Sequence, residues 1–203
     1  VYRWMDSGAK VEITSIFSVP LCEHHYDDDL GDLEEECIRR STLDSGRVVS
    51  NSGGWQSNAI TSDDDFFSEF ILEIEEQANN FVKELEIYQR CKINHLWINI
   101  NGYKDYNRRH HHPESIISGV FYVKVPDKSS KLRFFHPSVD LMVRDWGLNV
   151  DLKCNKYTSS IWEIFPEEGK LLLFPSWLDH EVDQNLSQEK RISISFNLIG
   201  ENY

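Results

Sequence analysis

The sequence predicts a mainly β domain with flanking helices, a jelly roll or barrel whose helical buttress comes first in the chain. Two observations carry that expectation. Beyond Asn94 five segments alternate at period two and favour β-branched or aromatic residues: LWINI, SGVFYVKV, KLRFF, KLLLFP and RISISFNLIG, separated by turn-rich stretches. Before Asn94 apolar residues recur at three and four, so helices and strands are segregated along the chain. The 203 residues suit a single domain, with 1–93 as strand, helices and buttress and 94–203 as the jelly-roll core.

The elements follow in order. VEITSIFSVPL alternates loosely and stops at Pro20, which suits an edge strand because proline cannot donate to a ladder. Asp27 to Asp29 then precede Leu30, Leu33, Cys37 and Ile38, a short amphipathic helix with acids at its positive end. Ser41 to Asn58, including NSGGWQSN, is a loop that a buried Trp55 indole would pin. From Ser62 a long helix is expected. Ser62 with Asp65 resembles a capping box, and Phe67, Phe70, Ile71, Ile74, Ala78, Phe81, Val82 and Leu85 form its core stripe.

Composition removes several classes of function. The 34 acidic and 21 basic side chains give a net charge of −13, the wrong sign for gripping nucleic-acid phosphates. Arg108 and Arg109 nevertheless form a local basic patch beside a histidine run, and local potential steers small anions. Cys22, Cys37, Cys91 and Cys154 lie far apart without a C-x-x-C pair, which reads as reduced thiols in the cytoplasm. No apolar run approaches the roughly 20 residues of a membrane span, and VYRWMDSG lacks the apolar segment of a signal peptide. A homodimer through the long helix or a sheet edge is the default assembly.

His110, His111 and His112 run consecutively before Pro113 and the strand SGVFYV. In extended backbone His110 and His112 share a face while His111 points away, so the pair can clamp a metal; a solvated polar turn is the competing reading. A further histidine, His180, follows the apolar strand KLLLFP, and strand ends in a jelly roll meet at one mouth. Imidazoles suit iron, zinc, copper or nickel, and a three-ligand facial set leaves positions open. On the last strand Arg191 and Ser193 alternate to one face, a fork for a carboxylate to which Tyr122 could add its phenol. An inward arginine must meet either a protein carboxylate or an anionic ligand. His24, His25, His95 and His136 read as ordinary surface or turn residues.

HHHPESIISGVFYVKVP, KLLLFPSWLDHEV and RISISFNLIG, with the earlier NSGGWQSN, resemble a group of 2-oxoglutarate and iron(II) oxygenases within the superfamily that contains the prolyl hydroxylases. The resemblance covers nearly the whole chain. It implies a cupin-like double-stranded β-helix, iron(II) at its mouth, and 2-oxoglutarate as co-substrate. Arg191, helped by Ser193 and Tyr122, would hold the distal carboxylate, and Asn99 and Asn101 would line the same pocket. The expected reaction is hydroxylation, with O2 consumed and succinate and CO2 released; the substrate is a peptide side chain or a small metabolite.

The wider superfamily reads His-x-Asp followed by a distant His, and here His112 stands where the aspartate is expected. His110, His112 and His180 then form the catalytic metal set. A frame of His112-x-Glu114 would restore a carboxylate, but Pro113 and the short run to the strand favour a glutamate outside the pocket. The alternatives are a cupin-like three-histidine enzyme that needs no co-substrate, and a non-catalytic jelly-roll binding protein. Segments 41–58 and 136–160 are the expected lids, with Trp146 and Tyr157 as substrate contacts.

Overall fold

The computed structural model describes residues 12–87, 89–146 and 155–201. In chain order the elements are β1 (Cys22–His25), α1 (Gly31–Ser41), β2 (Asn51–Ser52), β3 (Trp55–Gln56), α2 (Ser68–Glu84), β4 (Cys91–Asn101), β5 (Tyr106–His110), β6 (Ile117–Lys124), β7 (Leu132–Phe135), α3 (Val139–Trp146), β8 (Ile161–Ile164), β9 (Lys170–Pro175), β10 (His180–Val182) and β11 (Arg191–Gly200). They form a major sheet ordered β1-β9-β6-β11-β4-β3 and a minor sheet ordered β2-β5-β10-β7-β8. The pairings are antiparallel, and the chain crosses repeatedly between the sheets, as a double-stranded β-helix requires.

Period-two alternation assigns the two faces of the major sheet. Leu96, Ile98 and Ile100 of β4 and Ile192, Ile194, Phe196 and Leu198 of β11 pack in one core with Ile71, Ile74, Ala78, Phe81 and Val82 of α2. The opposite face meets the minor sheet, where Val120, Tyr122, Leu172 and Phe174 pack with Leu132, Phe134, Ile164 and Leu178. Burying each large aliphatic or aromatic side chain of these clusters is worth about 1.5–3 kcal/mol. The jelly roll therefore has a dry outer layer under the helices and a mixed interior between the sheets.

All five expected β segments are strands, and the helical stripe packs as expected. Four details differ from the sequence reading. Residues 12–19 form no strand: Ile13, Ile16 and Phe17 are exposed, and the sheet edge is taken by β1 on β9. The capping box at Ser62 does not form. Helix α2 starts at Ser68 after Asp64 Oδ1 has accepted the Phe66 and Phe67 N–H groups, while the same carboxylate takes a bidentate pair from Arg40 of α1. Trp55 is half-buried and donates Nε1–H to the Asp44 carbonyl at 3.2 Å. Segment 41–58 is also more than a loop, because β2 joins the minor sheet and β3 the major one across Gly53 and Gly54, both at positive φ. Cys154, part of the expected lid 136–160, and the Trp146 side chain lie outside the described residues. No described helix is long and apolar enough to cross a membrane.

Candidate active site

Two strands and the turn after one of them bring the histidines together. His110 ends β5 and lies in register opposite His180, the first residue of β10. His112 follows two residues later, tied to the loop after β9 by its N–H to the Ser176 carbonyl at 2.9 Å. The ring centroids of His110 and His180 are 4.5 Å apart, those of His110 and His112 4.9 Å, and those of His112 and His180 5.1 Å. One nitrogen of each ring lies within 4.8 Å of the others, spacing suited to a common metal ion. His111 turns away, as alternation requires, to Asp179 at 3.1 Å. Glu114 sits exposed in a turn at φ 66°, so it is not part of the cluster.

The partners of the rings set their tautomers. His110 Nδ1–H donates to the Arg108 carbonyl at 2.6 Å and His180 Nδ1–H to the Leu178 carbonyl at 2.9 Å, which leaves each Nε2 lone pair for a metal. His112 Nδ1 lies 3.3 Å from the Asn197 amide, whose other end is 2.8 Å from Ser118 Oγ. The amide nitrogen faces His112 Nδ1, Ser118 Oγ donates to the amide oxygen, and the Ser118 and Ser176 hydroxyls share a hydrogen bond of 2.8 Å. Burial, reinforced by the His180 and His110 rings, pushes His112 down to about 3. Burial, then His110, pushes His180 down to about 4, and burial lowers His110 as well. The cluster is neutral at physiological pH, the state in which imidazole binds a metal.

The same chamber contains Arg191, 1 % exposed, whose Nη1 donates to Asn101 Oδ1 at 3.2 Å and to Ser193 Oγ at 3.0 Å. No carboxylate pairs with it among the described residues, and its Nε has no partner. Its guanidinium lies 5.0 Å over the Tyr122 ring; the phenol is close enough to influence its ionisation, but no hydrogen bond of ordinary geometry joins them, and the hydroxyl is also unpartnered. Burial pushes the Arg191 pKa down and the Tyr122 pKa up. A buried guanidinium with an unpaired Nε–H and an unpaired phenol 0 % exposed offer donors that an anion would satisfy. Asn99 lines this chamber with its Nδ2–H given to Ser195 Oγ at 3.0 Å, while Asn101 acts on the guanidinium itself.

Sequence reasoning missed three contributors. Asn197 continues the inward series of Arg191, Ser193 and Ser195, so alternation on β11 alone identifies it. Trp97, its ring 5.7 Å from His112, likewise alternates with Asn99 and Asn101 on β4. His95, read as a turn residue, is inside β4 and stacks on Trp97 at 5.6 Å.

Solved structures share this architecture. A Pseudomonas putida prolyl-4-hydroxylase matches at TM-score 0.63 and 14% identity, covering 89% of this chain and 92% of that one. The 2-oxoglutarate-dependent epimerase SnoN of nogalamycin biosynthesis matches at 0.66 and 12% identity over 89% and 76%. HygX from Streptomyces hygroscopicus, solved with nickel and 2-oxoglutarate, matches at 0.63 and 10% identity over 92% and 85%. No curated protein sequence matches the chain. Residues 95–197, just over half of the chain, fit the family described as "Putative 2OG-Fe(II) oxygenase". That span contains the three histidines, Tyr122 and Arg191, and the chain belongs to this family of iron(II)- and 2-oxoglutarate-dependent oxygenases.

Proposed function

We propose that the chain is a hydroxylase in which His110, His112 and His180 hold iron(II), and Arg191, with Ser193 and Tyr122, holds the distal carboxylate of 2-oxoglutarate. One observation carries the reading: a fully buried arginine with no carboxylate partner among the described residues, beside an unpartnered phenol, lines the same chamber as three neutral histidines. The histidines would suit a cation and Arg191 an anion, and one chamber contains both.

When bound, iron and 2-oxoglutarate supply the oxidation of a substrate C–H bond by O2, with succinate and CO2 as co-products. The chain's own residues position and shield. Asn101 and Ser193 fix the guanidinium plane, so little ordering cost remains when a carboxylate arrives. Leu132, Val120 and Phe174 exclude water along the chamber wall, strengthening each polar contact there. His110, His112 and His180 would hold the metal as neutral ligands and so bring it no negative charge of their own. The free thiols of Cys22, Cys37 and Cys91 support a reducing, cytoplasmic setting.

Anaerobic addition of iron(II) and then 2-oxoglutarate to apo-protein should give the weak visible charge-transfer band of the chelate. Arg191→Met should retain metal but need at least about 100-fold more 2-oxoglutarate, the scale of truncating one partner of a buried charge pair. His180→Ala should lose the metal. Wild-type affinity in Arg191→Met would reject the anchor. Metal binding without any band would favour the three-histidine enzyme that needs no co-substrate.

A further inference from the structure

Arginine pairing across the molecule is uneven. Among the described residues Arg39, Arg40, Arg90, Arg109, Arg133 and Arg144 each have a carboxylate partner. Arg47, Arg108 and Arg191 have none among the described residues; Arg191 is buried, and Arg47 and Arg108 are exposed. All three border the histidine cluster. Arg191 lies in the chamber described above; Arg47 and Arg108 lie on the other side of the histidines, in an open groove of about 480 Å3. That volume is within the range of small-molecule sites.

The two arginines are held by one backbone arrangement. The Arg108 N–H donates to the Ser50 carbonyl at 2.9 Å, and the Arg47 N–H to the Gln56 carbonyl at 2.7 Å. Between them the groove presents Val49, Trp97 and His95, an apolar and planar surface. Burial first, and then the Arg47 charge, hold His95 below its ordinary range, so the groove is positive without it. Gln56 completes the groove: it is 5 % exposed, and its buried Oε1 has no hydrogen-bond partner.

We propose that this groove is the substrate site of the metal centre, and that the substrate is a small organic anion. Its carboxylate or phosphate is held by Arg47 and Arg108, and its apolar or planar body lies on Trp97. The inference rests on the reading of His110, His112 and His180 as the iron site. A polyanion is disfavoured by the net charge of −13, whereas a small anion responds to the local field of two unpaired guanidinium groups.

The test uses zinc-loaded protein saturated with 2-oxoglutarate, where no turnover occurs. Phenyl phosphate, benzoate and neutral benzyl alcohol are titrated separately while the Trp97 indole N–H is followed by 15N NMR, assigned with Trp97→Phe. Both anions should shift the signal saturably and the alcohol should not at the same concentrations. An Arg47→Gln, Arg108→Gln double variant should weaken the anions by about tenfold or more. Arg191→Met should lose 2-oxoglutarate and keep the anion response. Equal binding of the alcohol, or undiminished anion binding in the double variant, overturns the proposal. If zinc or 2-oxoglutarate does not bind the wild type, the iron-site reading fails, and the same titrations on apo-protein still decide whether the groove selects anions.

Discussion

Strand β11 presents two unlike faces. Ile192, Ile194, Phe196 and Leu198 turn to the helices and are each 0 % exposed, while Arg191, Ser193, Ser195 and Asn197 turn to the interior and line the chamber or the groove. On the first face any atom of similar volume serves, because dispersion and water exclusion are non-directional. On the second face particular atoms matter: an amide aimed at His112, a hydroxyl on a guanidinium, an N–H with nothing to bind. Stability and chemistry therefore sit on alternate residues of one strand, and substitutions should separate them.

Phe196→Ala is expected to have the largest effect on folding, about 3–5 kcal/mol by urea denaturation, because its ring fills the space against Gly119 under the helices. The variant should still bind one metal per folded molecule. Loss of metal affinity in proportion to stability would show that the faces are coupled.

Protonation tests the inner face next. The unfolded chain takes up protons near pH 6.5, whereas folded His180 resists until about 4. Its contribution is thus fully present above about pH 6.5 and drains as pH falls toward 4. By pH 5 the apo-protein should have lost on the order of 2 kcal/mol more than a His180→Gln variant, both compared with pH 7.5. Parallel losses in the two proteins would remove His180 as the cause.

Asn197→Ala is the mildest change. It removes no ligand, only the partner of His112 Nδ1, and should weaken zinc affinity by about tenfold while leaving the urea midpoint of apo-protein nearly unchanged. An unchanged zinc affinity would mean that the amide is packing alone.

The strands that bury both faces were legible in the sequence, since LWINI and RISISFNLIG have only one register that keeps polar atoms out of the helical core. So was the spacing of His110 and His112, and the fork of Arg191 and Ser193. The strands that carry the histidines were not. Tyr106–His110 is YNRRH, with no apolar pattern, and becomes a strand because β10 and β2 pair with it; His180–Val182 is only three residues long. VEITSIFSVPL shows the converse error, since alternation without a neighbouring strand leaves Phe17 96 % exposed. The Ser62 capping box lost to Asp64, whose link to Arg40 depends on a helix 24 residues away, which local sequence does not encode.

Gly53 and Gly54 allow the chain to step between sheets where a Cβ would strike Asp105 Oδ1 at 2.0 Å and the Ile100 carbonyl at 2.6 Å. The segment they bend is closed at its base by main-chain bonds, Arg47 N–H to Gln56 O at 2.7 Å and Ser57 N–H to Ile98 O at 2.9 Å. Two buried side chains add to that closure: Asn51 bonds the Val49 N–H and the Arg47 and Gly53 carbonyls, and Ser57 Oγ accepts the Ile98 N–H. With Asn51, Ser57 and the glycines kept, the exposed Arg47 and Val49 are the positions of this segment whose exchange should change the groove while leaving His110, His180 and Arg191, which stand on other strands, in place.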